Sequence, residues 1–123
     1  MIIVRKEAAP TFPAPLPSGK VTKIMMDPAL GSKHVALGFT VYPVGEKGAP
    51  HAHTGEETIV ILEGKAKVSN MKKQQIIEPG DVVYLSPDET HIMENVGEEE
   101  LHFLWIYTPP GDEKLIRQRA KNK

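Results

Sequence analysis

Two histidines, His51 and His53, sit two residues apart and precede Glu57, and a third histidine, His91, follows further along the chain. Imidazole nitrogens with a carboxylate oxygen suit a divalent first-row metal, so this set has the chemistry to hold one ion of Fe, Mn, Ni, Cu or Zn. The chain has no cysteine, which excludes disulfides, thiolate metal sites and a cysteine nucleophile. On a strand, alternate side chains share a face about 6.6–6.8 Å apart, so His51 and His53 are expected to point the same way. Thr54 and Gly55 offer a bend after which Glu57 returns to that face. His91 must then arrive on a neighbouring strand, across a gap of about 4.8 Å. Four such ligands on an octahedral ion leave two positions for water, oxygen or a chelating substrate. On tetrahedral zinc the same four close the site, which is then structural.

The elements that must carry these residues read as strands and turns. Strands are predicted over residues 21–26, 35–42, 58–62, 65–68, 75–77, 82–85, 91–94 and 101–107, separated by Gly, Pro, Asn or acidic residues. Short strands at even spacing predict an all-β sandwich or barrel. Residues 58–62 are apolar on both parities, as expected of a strand covered on both faces. Only residues 112–121 carry a helical pattern, with Leu115, Ile116 and Ala120 as a thin apolar stripe. Residues 8–19 hold Pro10, Pro13, Pro15, Pro17 and Gly19, which rules out a helix or a central strand and leaves an extended arm. The expected organisation is an arm over 1–20, one β-barrel domain over 21–110 and a C-terminal tail or helix over 111–123. A chain of 123 residues suffices for one hydrophobic core.

A net charge of −1, with 25% of residues charged in both signs, gives no electrostatic footprint for nucleic acid or an anionic membrane. Residues 1–6 lack the apolar run of a signal peptide, and no segment reaches the roughly 20 apolar residues of a membrane span. The expectation is a soluble, cytoplasmic protein.

The ligand segment resembles the first motif of the cupin superfamily, G-x5-H-x-H-x3-E-x6-G, with a match at Gly45, His51, His53, Glu57 and Gly64. The second motif, G-x5-P-x-G-x2-H-x3-N, is met by Gly80, His91 and Asn95. It departs at Ser86 and Asp88, where the family usually has Pro and Gly, and Pro87 stands one place late. Residues 65–79 separate the motifs, the short spacing of compact microbial single-domain cupins. The resemblance implies a double-stranded β-helix, the jelly-roll cupin barrel, followed here by the short C-terminal helix. It implies a metal inside near one mouth, with His51, His53, Glu57 and His91 as ligands. It also implies a homodimer, often with an N-terminal strand laid against the partner. The proline-rich arm either serves that purpose or is a disordered leader.

Other residues carry weaker signals. His34 follows Ser32 and Lys33 in a predicted turn and is expected to be exposed. His102 is either an ordinary sheet histidine or a pocket residue beside the ligands, and Tyr84 either a structural tyrosine or a hydroxyl near the metal; these two are the candidate catalytic groups. Tyr42, Lys65 and Lys67 are further acid–base candidates of unread orientation. Phe103, Trp105 and Tyr107 form a stripe that reads as core or dimer interface before it reads as a stacking platform. Glu56 is expected to face outward, Asn95 to brace the turn after His91, and Gly45, Gly64 and Gly80 to occupy unusual turn angles.

No Ser-His-Asp order, phosphate-cradling glycine loop or acid–base pair beyond the ligands stands out. That thinness favours chemistry supplied by metal and substrate, namely dioxygenase-type oxidation of a small oxygen-bearing molecule. The alternatives are a metal-dependent isomerase, decarboxylase or lyase acting on a small sugar or acid, or a non-catalytic barrel that binds a metal or small ligand. Charged groups around the open positions would indicate an acid or sugar as substrate, and an apolar lining an aromatic or alkene-like one. The ligand assignment predicts that His51→Ala or His91→Ala abolishes stoichiometric metal binding while His34→Ala does not. One metal per chain retained in all three variants, by elemental analysis, would overturn it.

Overall fold

The structure is a computed structural model that describes residues 1–121, with side chains through residue 119. Among the described residues nine strands and one α-helix follow in order, with two short 3-10 helices at Lys6–Ala8 and Pro28–Leu30: β1 (Thr11–Pro13), β2 (Val21–Met26), β3 (Ala36–Tyr42), β4 (Glu56–Glu63), β5 (Ala66–Asn70), β6 (Gln74–Ile77), β7 (Val82–Leu85), β8 (His91–Asn95), β9 (Leu101–Thr108) and α1 (Glu113–Lys121). They form a six-stranded sheet in the order β1-β2-β3-β9-β4-β7 and a three-stranded sheet in the order β6-β5-β8. Every pairing is antiparallel. The eight predicted strands and the predicted helix are all present, in the two-sheet jelly-roll arrangement. Among the described residues no helix is long and apolar enough to cross a membrane.

Alternation along the central strands places the core between the sheets. In β9, Leu101, Phe103, Trp105 and Tyr107 point inward, while His102, Leu104 and Ile106 lie half-buried on the other face. They pack with Ile24, Ile59, Ile61 and Met93 from the surrounding strands. The expectation that residues 58–62 are covered on both faces is corrected. Ile59 and Ile61 are buried, but Val60 is only half-buried and Leu62 is 44% exposed. An antiparallel sheet with one face on the core leaves the other face to solvent.

Part of the proline-rich arm joins the sheet. Its residues Thr11–Pro13 pair with β2 of the same chain at the sheet edge, and Phe12 and Ala14 are buried. An edge strand tolerates Pro13 because no ladder bond is asked of its nitrogen. Helix α1 packs against this strand. The Arg117 guanidinium donates from Nε and Nη2 to the two carboxylate oxygens of Asp27, both at 2.7 Å. Asp27 is buried, so the pair anchors the helix with a two-pronged, charge-assisted contact.

Trp105 dictates its neighbour across the ladder. Gly38 lies opposite it in β3, and a Cβ there would come within 2.5 Å of the indole ring and would also collide with the Lys23 carbonyl. Gly38 therefore serves close approach of backbone and ring. Gly38→Ala is expected to lower stability by about 1–3 kcal/mol, the usual cost of overpacking. An unchanged urea midpoint in that variant would show that the indole is not tightly seated.

Candidate metal centre

The loop before β4 is laid along β8 by backbone hydrogen bonds. Asn95 N–H donates to the Glu46 carbonyl at 2.9 Å, Gly48 N–H to the Met93 carbonyl at 2.8 Å, and His51 and His91 exchange two bonds of 3.1 and 2.9 Å. This last pair is an isolated antiparallel bridge outside the named strands. The expectation that His51 and His53 share one strand is thereby corrected. Only His51 is bridged, His53 lies in the loop, and the chain bends at Thr54–Gly55 before entering β4. Their rings nonetheless converge, with centroids 5.0 Å apart. Glu57 occupies an inward position of β4, and His91 opens β8; both are buried. Ligand atoms from His51, His53, Glu57 and His91 all lie within 4.8 Å of one another.

The turn where the second motif departs from its usual letters still performs a positioning role. Asp88 adopts φ +62°, a left-handed angle that aspartate tolerates better than most residues. Its N–H donates to the His53 carbonyl at 2.7 Å. The Glu89 carboxylate accepts from Ser86 N–H and Oγ at 3.0 and 3.1 Å, closing the turn. Asn95 acts as expected of a brace, its Nδ2 donating to the Tyr42, Pro43 and Glu99 carbonyls and its Oδ1 accepting from Gly97 N–H.

Each imidazole is oriented through Nδ1. His51 Nδ1 lies 2.9 Å from the Ala49 carbonyl, His53 Nδ1 2.7 Å from Asp112 Oδ2, and His91 Nδ1 3.0 Å from the Glu89 carbonyl. Carbonyl and carboxylate oxygens only accept, so Nδ1 carries the proton in each ring, and in the neutral form Nε2 is a bare lone pair. Two of these, His53 Nε2 and His91 Nε2, stand 3.1 and 3.2 Å from Glu57 Oε1. All three atoms are buried without a hydrogen bond. Acceptors crowded together in the interior are costly unless a cation sits among them. The donor set therefore fits a divalent metal ion.

The electrostatics follow from burial and from these neighbours. Burial opposes ionisation of Glu57, yet the adjacent His53 and His91 outweigh it and hold its carboxyl below the usual range. Burial likewise works against a charged His53, but Glu57 and Asp112 raise its pKa overall. His51 is lowered, by desolvation first and then by the other two imidazoles. Burial first, and then the charge of Glu57, pushes the Tyr42 and Tyr107 phenols above their ordinary range, so both stay protonated.

The cluster opens into a cavity of about 160 Å³ whose wall includes Tyr42, Ile59, Met93, Phe103, Trp105 and Tyr107. That is below the ~300–1,000 Å³ of pockets for drug-sized ligands, so it admits only a small molecule. The aromatic stripe is thus both core and cavity wall, and Tyr107 lies 4.7 Å from His53, centroid to centroid. The two weaker catalytic candidates do not reach the cavity. Tyr84 is 56% exposed and donates to Glu56 Oε1 at 2.7 Å on the outer face. His102 faces outward beside Glu100 and Glu63. Both stand at outward positions of their strands, where period-two alternation aims them away from the core. Lys65 is exposed and Lys67 pairs with Glu94, whereas Tyr42 does line the cavity. His34 is exposed. Three charged lining residues escaped the sequence reading: Lys20, Asp112 and Arg119. They come from the two ends of the chain, far from either motif, and no local spacing announces them.

Residues 38–107 match the model of the cupin domain. An uncharacterized protein of Methanocaldococcus jannaschii is 30% identical over 113 residues, which cover 89% of this chain and 90% of that one. Among solved structures, the polyketide cyclase RemF from Streptomyces resistomycificus aligns with a TM-score of 0.77 at 18% identity, over 90% of this chain and 82% of that chain. A predicted oxalate decarboxylase from Thermotoga maritima aligns with a TM-score of 0.73 at 24% identity, over 89% of this chain and 100% of that chain. The matched domain model, the two-sheet barrel and both histidine motifs agree: the chain belongs to the cupin family.

Proposed function

We propose that this protein is an enzyme that uses one divalent metal ion, held by His51, His53, Glu57 and His91, to transform a small oxygen-bearing molecule. The observation that carries the reading is the buried trio of unpartnered acceptors, His53 Nε2, His91 Nε2 and Glu57 Oε1, beside a cavity of substrate size. When bound, the ion supplies Lewis acidity and, if redox-active, electron transfer to and from oxygen. The chain's own residues do the rest. The Asp112 carboxylate holds His53 by its Nδ1 proton and so aims Nε2 at the cluster. Phe103, Trp105 and Ile59 keep the inner wall apolar, which limits water beside the reacting atoms.

Dioxygenase-type oxidation was expected from the lack of acid–base groups beyond the ligands. A specific observation favours a second reading. Tyr42 and Tyr107 place two phenols on the cavity wall, and Lys20 and Asp112 line it as well. A pocket with its own proton donors suits metal-assisted isomerisation, decarboxylation or elimination. Oxygen separates the two. Metal-loaded protein offered small carboxylic, enolic and vicinal-diol compounds is expected to give turnover that is lost with a chelator and in His51→Ala. Oxygen uptake in step with product identifies oxidation, and equal rates under argon identify the second reading. Turnover that survives both chelator and His51→Ala would overturn the metal-centre assignment.

Asp112 gives a separate test, because it touches His53 and belongs to neither motif. Asp112→Asn is expected to weaken metal affinity by about 10–100-fold, as loss of an orienting partner does elsewhere, without changing the melting temperature of the metal-free protein by more than a few degrees. Unaltered metal affinity would remove Asp112 from the centre.

A further inference from the structure

The cavity holds two cations with no carboxylate partner. Lys20, just before β2, and Arg119, on α1, both line it. Among the described residues neither has a carboxylate within 4 Å. The acidic groups nearby are engaged elsewhere. Asp112 holds His53, Glu57 faces His53 and His91, and Glu46 accepts from Ser18 Oγ and Gly19 N–H. Arg119 Nη1 is buried and has no hydrogen-bond partner. Burial, and then the like charge of Arg119, lowers the pKa of Lys20; burial also lowers that of Arg119. Lys20 Nζ lies 5.5 Å from the centroid of the Tyr42 ring, a contact that attracts the ammonium without neutralising it. Two like charges partly withdrawn from water thus still line one cavity without a counter-ion, an arrangement that an anion relieves.

We propose that Lys20 and Arg119 form an anion subsite that binds a carboxylate of the substrate, so that the molecule transformed at the centre is a small organic acid. The charge balance of the cavity agrees. Glu57 and Asp112 offset Lys20 and Arg119 among the lining residues, so a divalent ion leaves the filled site with a positive excess that favours an anionic ligand. Arg119 has a planar fork suited to a carboxylate, and Lys20 adds a point charge beside it. The substrate class rests on the metal-centre reading, whereas the anion subsite itself does not.

Trp105, the single tryptophan of the chain and part of the cavity wall, provides the readout. The full chain loaded with Co²⁺ is titrated with succinate and with neutral succinamide, followed by Trp105 emission, while visible absorption reports Co²⁺ occupancy. Succinate is expected to bind at least about tenfold more tightly than succinamide, a difference of about 1.4 kcal/mol. Arg119→Gln and Lys20→Met should each weaken succinate by a similar factor with Co²⁺ stoichiometry unchanged, and Arg119→Lys should retain part of the affinity. Lys20→Met leaves α1 intact, so it guards against a helix that fails to dock in the Arg119 variants. Equal affinity for the two probes, no succinate binding by the loaded protein, or variants that bind succinate as the parent does would each overturn the subsite. Failure to take up Co²⁺ would instead overturn the metal centre. The same titration on the metal-free protein then decides the subsite alone, by whether succinate outbinds succinamide.

Discussion

The pairing of residues 46–51 with β8 is the constraint on which the rest of the molecule depends. That loop continues into β4 of the six-stranded sheet, while β8 belongs to the three-stranded one. Each backbone bond along it ties the two sheets at one end of the barrel. The closing pair is His51 with His91, so the bonds that shut the barrel also set the distance between two ligands. A loose loop could not hold three imidazoles and one carboxylate together, because each side chain has its own rotamer freedom to lose. Here the backbone is committed before the side chains are asked to converge.

Around that seam the side chains settle the remaining freedom by hydrogen bonding. Nδ1 of each histidine is committed to an oxygen, and two of those oxygens are backbone carbonyls within two residues of the ring they hold. The third belongs to Asp112, far away in sequence. His53 is thus the one ligand whose orientation depends on the C-terminal segment, and that segment is fastened by the Asp27–Arg117 pair. The ligand cluster and the C-terminal segment meet through the His53–Asp112 hydrogen bond.

Much of this was legible in the sequence. Period-two alternation in residues 101–107 led to that strand and its inward face, because it is local geometry that repeats along the chain. The motif spacing of His51, His53, Glu57 and His91 pointed to four side chains that the structure brings within 4.8 Å of one another. What stayed illegible was non-local. The outward aim of Tyr84 and His102 depends on register between strands, and a one-residue shift inverts every side chain. Lys20 and Arg119 come to one cavity from near opposite ends of the chain, where α1 packs against β1, and no short spacing encodes that. The pairing of Thr11–Pro13 was hidden by its prolines, which exclude central strands and permit edges. The metal and the reaction remain matters of chemistry in the pocket and do not follow from the fold, which hosts many activities.

The turn at Ser86-Pro87-Asp88 has a consequence for how such chains are recognised. Its family pattern is written in letters, with glycine where this chain has aspartate, yet the constraint concerns a backbone angle and one N–H aimed at the His53 carbonyl. Any residue that accepts that angle satisfies it. A pattern spelled strictly in residue types would reject this chain at a position where its backbone conforms, and divergent relatives of the same geometry are lost in the same way. The motif is better read as a torsion requirement with a short list of permitted occupants, aspartate among them.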